Sequence, residues 1–108
     1  MNVSLRIQDS ARVVDITGEV DLKGSPVLRK TLFDALREFK KVALNLSGIR
    51  YIDSSGIAVM IEALRESQRL DRRFVLFGMN PAVYDVFKLT HVIRIFQVTE
   101  TEEQALEA

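Results

Sequence analysis

Hydrophobic and polar residues change their spacing several times along this chain, and each change marks an element. Val3, Leu5 and Ile7 alternate with polar residues, the period of a half-buried strand. Val13, Val14, Ile16 and the β-branched Thr17 predict a second strand, which Gly18 ends. The short polar stretch Asp9-Ser10-Ala11 connects the two, so a hairpin is expected. Ser25-Pro26 then predicts a helix start, because serine can cap free backbone N–H groups and proline is pre-set for the first helical position. Leu28, Leu32, Ala35, Leu36 and Phe39 recur at helical spacing and form one buried stripe. Phe33 falls off that stripe, either as a residue at the margin of the core or as a contact residue.

Val42-Ala43-Leu44-Asn45-Leu46 is a short apolar strand of the kind covered on both faces. Ser47-Gly48-Ile49-Arg50 is expected to turn the chain, and Tyr51-Ile52 leads into Asp53-Ser54-Ser55-Gly56. A second helix follows, with Ile57, Met60, Ile61 and Leu64 on one face and Glu62, Arg65, Glu66 and Arg69 outside. Arg73 to Phe77 predicts another strand. Asn80-Pro81 starts a third helix with Val83, Val86 and Phe87 inward. Ile93 to Val98 is a weaker strand, and Thr101-Glu102-Glu103-Gln104 fits a capping box for a terminal helix. After the hairpin, strands and helices alternate. The expected fold is therefore α/β: a mixed sheet with an N-terminal hairpin and parallel strands, flanked by about four helices.

Composition narrows the function classes. The chain has 108 residues, room for a single domain spanning 1–108. It lacks cysteine, which removes disulfides, thiolate metal sites and cysteine nucleophiles, and fits a reducing, cytoplasmic setting. Fifteen basic residues balance 15 acidic ones, so no basic excess marks a nucleic-acid binder. The pairs Lys40-Lys41 and Arg72-Arg73 read as solvated strand entrances. Met1 to Arg6 has no signal-peptide order, and the longest uncharged stretch, Phe74 to Tyr84, falls far short of the ~20 residues needed to span a bilayer. No direct membrane insertion is expected. No metal-ligand set or Gly-rich nucleotide loop is visible, so no cofactor is expected.

In alternating α/β sheets, sites form where strands end and helices begin. Asp53-Ser54-Ser55-Gly56 lies at such a junction. A helix start presents unpaired N–H groups and a partial positive charge. Ser54 or Ser55 can cap it, and Gly56 keeps the first turn free of bulk. A serine here is open either to a bland reading, a cap, or to a functional one, an exposed acceptor of a partner or a phosphate.

The run from Val42 to Met60, including Asp53-Ser54-Ser55-Gly56-Ile57-Ala58, closely resembles the core motif of bacterial anti-sigma factor antagonists, which are single STAS domains. Gly18-Glu19-Val20-Asp21 resembles that family's segment after the second strand. Asn80-Pro81-Ala82-Val83, Phe87 and Ile95-Phe96 resemble its C-terminal part. The likeness runs from about Val3 to Leu106. It implies the STAS fold and a partner-switching regulator of transcription, not an enzyme. The serine directly after the aspartate, here Ser54, is then the phosphorylation site, within a switch loop of Asp53, Ser55 and Gly56. An anti-sigma factor with serine kinase activity would modify it, and a metal-dependent serine phosphatase would reverse the step. The unmodified form would bind the anti-sigma factor. At Ala58 many members carry glycine, so this contact is narrowed by one methyl group.

Asp21 follows a strand end and is a candidate neighbour of the phosphosite, with a plain turn residue as the alternative. Ala58, Val59, Glu62 and Ala63 are expected to form a partner surface, an apolar strip rimmed by acids. Rival classes fit less well. A serine hydrolase needs a base, and the single histidine, His91, stands far along the chain without a Gly-x-Ser-x-Gly elbow. A phospho-aspartate receiver needs an acidic magnesium cluster, for which only Glu19 and Asp21 are near candidates. The closer alternative is a STAS subunit of a transport or signalling complex that does not use phosphorylation.

Overall fold

A computed structural model describes all residues, 1–108. The elements run β1 (Asn2–Gln8), β2 (Ala11–Val20), α1 (Ser25–Glu38), β3 (Lys41–Ile52), α2 (Ser54–Arg69), β4 (Arg73–Phe77), α3 (Pro81–Leu89), β5 (Gln97–Thr99) and α4 (Glu102–Glu107). They form one sheet in the order β1-β2-β3-β4-β5. β1 is antiparallel to β2, and every later pair is parallel. This is the mixed α/β sheet with an opening hairpin that the residue pattern implies.

The hairpin is tighter than expected. Gln8 pairs with Ala11, and the two residues between them, Asp9 and Ser10, both have positive φ. That is the geometry whose twist matches the flanking strands. Ala11 belongs to β2 and is buried. Gly18 does not end β2: it takes φ +89° and the strand continues to Val20.

The turn expected at Ser47-Gly48-Ile49-Arg50 is also absent, because β3 is continuous through it. Its pairing with β2 shifts twice, between Asp15/Thr17 and between Gly18/Glu19, with one extra β3 residue each time. The apolar spacing records these bulges. Val42, Leu44, Leu46, Ile49 and Ile52 all enter the main core, at intervals that widen from every second to every third residue. An extra residue re-aims the side chains that follow, which would otherwise turn out of the core. The Asn45 side chain supports the first bulge by accepting from the Ser47 amide at 3.0 Å and hydroxyl at 2.7 Å. Gly48 is required there, since a Cβ would lie 2.6 Å from Thr17 Cγ2.

The sheet has unequal faces. One carries the main core, to which α1, α2 and α3 contribute Leu28, Leu32, Leu36, Met60, Val83 and Phe87. The other holds a small cluster of Val13, Ala43, Val75, Phe77 and Ala105, covered by α4. An ionic clasp fastens α4: Arg6 of β1 bonds Asp15 at 2.6 Å and 2.9 Å and also reaches Glu102. The basic pairs at the strand entrances are partly structural. Lys41 donates to the Leu106 carbonyl, and Arg72 donates to the Leu36 and Arg37 carbonyls, satisfying the end of α1.

Two further expectations are corrected. Residues 93–96 form a turn, and strand geometry is confined to Gln97–Thr99. The turn carries Phe96 into the core, where its ring meets Phe87 and Phe74 edge-on at 5.7 and 6.5 Å. Ser25 is not a cap. It lies buried in the first turn of α1 with its hydroxyl donating to Leu22 O. Phe33 packs on neither core cluster; it is half-buried, with the Arg29 guanidinium 4.2 Å from its ring centre. No helix is long and apolar enough to cross a membrane.

Candidate functional site

Parallel pairing of β2 and β3 aligns Val20 with Ile52, and the Asp53 amide donates to Val20 O at 3.2 Å. Asp21 and Asp53 therefore emerge next to each other from neighbouring strand ends, with Ser54 opening α2 beside them. Gly56 makes this approach possible. A Cβ there would lie 2.6 Å from Val20 Cγ1 and 2.9 Å from Ile52 Cγ1. Its lack of bulk serves the seat of α2 on the sheet.

The cap of α2 is Asp53, and neither serine takes that part. Asp53 Oδ1 accepts from the Ser55 amide at 2.9 Å, the Gly56 amide at 3.3 Å and the Ser55 hydroxyl at 2.5 Å. The Asp53 carbonyl accepts from Ile57 N. The two serines are thereby distinguished. Ser55 is half-buried with its hydroxyl committed to Asp53, whereas Ser54 is exposed and its hydroxyl has no hydrogen-bond partner. The Ser55 hydroxyl, followed by the Gly56 and Ser55 amides, holds the Asp53 carboxyl below the usual carboxylate range. Asp53 is thus charged at neutral pH, next to Ser54.

Asp21 is adjacent in the sheet but committed to its own loop. Its Oδ1 accepts from the Lys23 and Gly24 amides, both at 3.1 Å, and its carbonyl accepts from Gly24 and Ser25 N. That ordering shapes the connection into α1, the turn role weighed for it above.

The four-residue surface on α2 does not survive as a unit. Val59 is only 5% exposed and Ala63 is fully buried, both inside the main core. The apolar face of α2 is wider than the stripe through Ile57, Met60 and Leu64, because α1 packs against it in addition to the sheet. Ala58 is exposed, and Glu62 is partly exposed and bonded to Arg29 of α1 at 2.8 Å. Three exposed apolar side chains near the junction went unremarked in the sequence: Leu22, 75% exposed, Val27 and Tyr51. The signal for Val27 was its position off the stripe of Leu28 and Leu32.

Comparison with known proteins bears on the family and the fold. An anti-sigma-B factor antagonist of Listeria monocytogenes is 24% identical over 106 residues, spanning 94% of this chain and 93% of that protein. Among solved structures, an anti-sigma factor antagonist from Mycobacterium paratuberculosis has a TM-score of 0.87 at 20% identity, covering 98% of this chain and 91% of that one. The Bacillus cell fate determinant SpoIIAA in its phosphorylated form has a TM-score of 0.74 at 21% identity, covering 98% and 97%. These two likenesses concern the fold. The STAS domain model matches residues 2–105, and the chain accordingly belongs to the STAS domain family.

Proposed function

We propose that this chain is an anti-sigma factor antagonist that switches partners through phosphorylation of Ser54. The observation that carries the reading is the contrast at the start of α2: Ser55 is tied to Asp53, while the neighbouring Ser54 hydroxyl is exposed and unbonded. A kinase needs a hydroxyl that can enter its site without breaking the fold, and Ser54 meets that demand. The curated relatives named as anti-sigma-B factor antagonists support the same role.

In this reading the unmodified protein binds an anti-sigma factor that is also a serine kinase. The kinase forms a bond from Ser54 Oγ to the terminal phosphorus of ATP, ADP leaves, and the hydroxyl proton passes to a base of the kinase. A serine phosphatase returns the hydroxyl by hydrolysis. The phosphoryl group brings about −1.5 to −2 charge at neutral pH. The helix start favours an anion by roughly 0.3–1 kcal/mol. Asp53 opposes it, both as a neighbouring carboxylate and because it already occupies the Ser55 and Gly56 amides. The local effects nearly cancel, so the fold is kept. The cost falls on the partner, which must desolvate a dianion in the middle of the contact. Leu22, Val27, Tyr51, Ala58 and Glu62 supply the contact around Ser54, replacing the strip that included Val59 and Ala63. The cytoplasm is the compartment this role requires.

Intact mass of the protein from its own cells, during growth and after stress, tests the reading beside Ser54→Ala. A single phosphoryl adduct that varies with conditions and is absent from the variant is expected. No adduct under any condition would leave Ser54 as an ordinary helix-start residue and overturn the proposal.

A further inference from the structure

We infer that β1 is a self-association edge, on which two copies of this chain join their sheets through antiparallel β1–β1 pairing centred on Leu5. β1 is one border of the sheet, so its outer side offers a row of unpaired N–H and C=O groups over seven residues. Soluble proteins usually blunt such edges with lysine, proline, bulges or inward charges. Of these β1 carries only one charge. It contains no lysine, proline or glycine, and its register with β2 is unbroken from Asn2 to Gln8. Its single charge, Arg6, is turned aside into the clasp with Asp15 and Glu102.

The edge is also apolar where it should be wet. Leu5 is 51% exposed and Ile7 is 62% exposed, on the same side of the strand as Val3, which packs on the main core. Leu5 lines a shallow groove with Arg12 and with Thr31, Asp34, Ala35 and Glu38, which belong to α1 apart from Arg12.

The sequence of β1 selects a second copy as the occupant. In antiparallel pairing about Leu5, Leu5 meets Leu5, Val3 meets Ile7, Ser4 meets Arg6 and Asn2 meets Gln8. Apolar faces apolar at each of the first two pairs, polar faces polar at the others, and no like charges oppose. Six aliphatic side chains then make one strip on the helix side of the joined sheet. The opposite border, β5, has three residues and cannot supply an equal partner strand, so association closes as a two-fold dimer and does not run on as a fibre. Ser54 follows β3, two strands in from the joined edge, and stays open.

The absence of cysteine permits a direct test of the register. Opposed antiparallel residues have Cα atoms about 4.5–5.5 Å apart, within disulfide reach, whereas a residue two positions from the two-fold lies about 13 Å from its own copy. Leu5→Cys should therefore form a disulfide dimer under mild oxidant. Val3→Cys alone should not, yet Val3→Cys mixed with Ile7→Cys should. In sedimentation equilibrium the unmodified chain should approach twice its mass at high micromolar concentration. Ile7→Glu, at a site too exposed to threaten folding, should weaken association at least about tenfold with an unchanged circular dichroism spectrum. A chain that stays monomeric at every concentration overturns the inference, even if it takes up an extended peptide at β1. So does equal cross-linking of Val3→Cys and Leu5→Cys, or an Ile7→Glu variant that associates as before.

Discussion

Asp53 and Ser55 are locked together, with the Ser55 hydroxyl 2.5 Å from Asp53 Oδ1 and its amide 2.9 Å from the same oxygen. One carboxylate oxygen thus serves as helix cap, as anchor for the Ser55 hydroxyl and as a fixed charge next to Ser54. The proposed switch depends on this asymmetry.

Removing each hydroxyl should separate the roles. Ser54→Ala breaks no hydrogen bond, and its stability should stay within about 0.5 kcal/mol of the parent. Ser55→Ala removes the largest cause of the lowered Asp53 pKa, so that value should move up toward the ordinary carboxylate range. Carboxyl carbon shifts followed through an acid titration report it directly. An unmoved Asp53 value in Ser55→Ala would contradict the geometry of the cap.

Two small residues of α2, Gly56 and Ala58, should each lose stability on exchange of one methyl group, one by gaining it and the other by losing it. Gly56→Ala places a carbon 2.6 Å from Val20 Cγ1 and 3.2 Å from Val20 O, and overpacking of this kind costs about 1–3 kcal/mol. Ala58→Gly leaves an exposed helix position and should cost roughly 0.8–1 kcal/mol, through backbone freedom alone. Urea midpoints at constant m report both losses. A fully stable Gly56→Ala would mean that α2 can shift on the sheet.

Partner contact and core can also be told apart on α2. Val59→Asp puts a charge into the core and should unfold the protein or leave it barely stable. Glu62→Lys breaks an exposed pair with Arg29, worth about 0.2–1 kcal/mol, and should remain folded while weakening the anti-sigma partner. Calorimetric titration with the partner, alongside thermal melts, checks both. A folded Val59→Asp that selectively lost binding would restore Val59 to the contact surface.

The clasp predicts an acid dependence with a definite sign. The Arg6 guanidinium, helped by the Asn45 amide, holds the Asp15 carboxyl below its ordinary range. A carboxyl whose folded value is lowered contributes stability above its unfolded value, near pH 4, and loses that contribution as pH falls through the folded value. Arg6→Ala should therefore lose about 1 kcal/mol at neutral pH, reduced from the full charge-assisted value because Arg6 is partly solvated. Its stability should then fall less steeply than the parent's below about pH 4. Parallel pH profiles for the two proteins would rule out Asp15 as the source.

Much of the fold was legible because it rests on periodicity. The stripe of α1, the short apolar runs of β3 and β4, and the Thr101–Gln104 capping box each record their own surroundings in local spacing. The junction at Asp53-Ser54-Ser55-Gly56 was legible for a similar reason, since a helix start after a strand is written in adjacent residues. The cap was not. Asp53, Ser54 and Ser55 all have the chemistry, and backbone direction chose the residue with extended φ and ψ just before the helix. The continuity of β3 through Gly48 was hidden as well, because a glycine seated against Thr17 looks like a turn until the neighbouring strand is known.

By itself, the sequence determined which elements form, in what order, and that a serine pair opens the second helix, because capping chemistry and apolar spacing act between residues close along the chain. Tertiary structure alone decided that Val59 and Ala63 belong to the core, that Asp21 is tied to its own loop, and that Leu5 and Ile7 are left at an open edge. Burial and adjacency of that kind depend on which strand or helix arrives from elsewhere in the chain, and no local pattern carries that information.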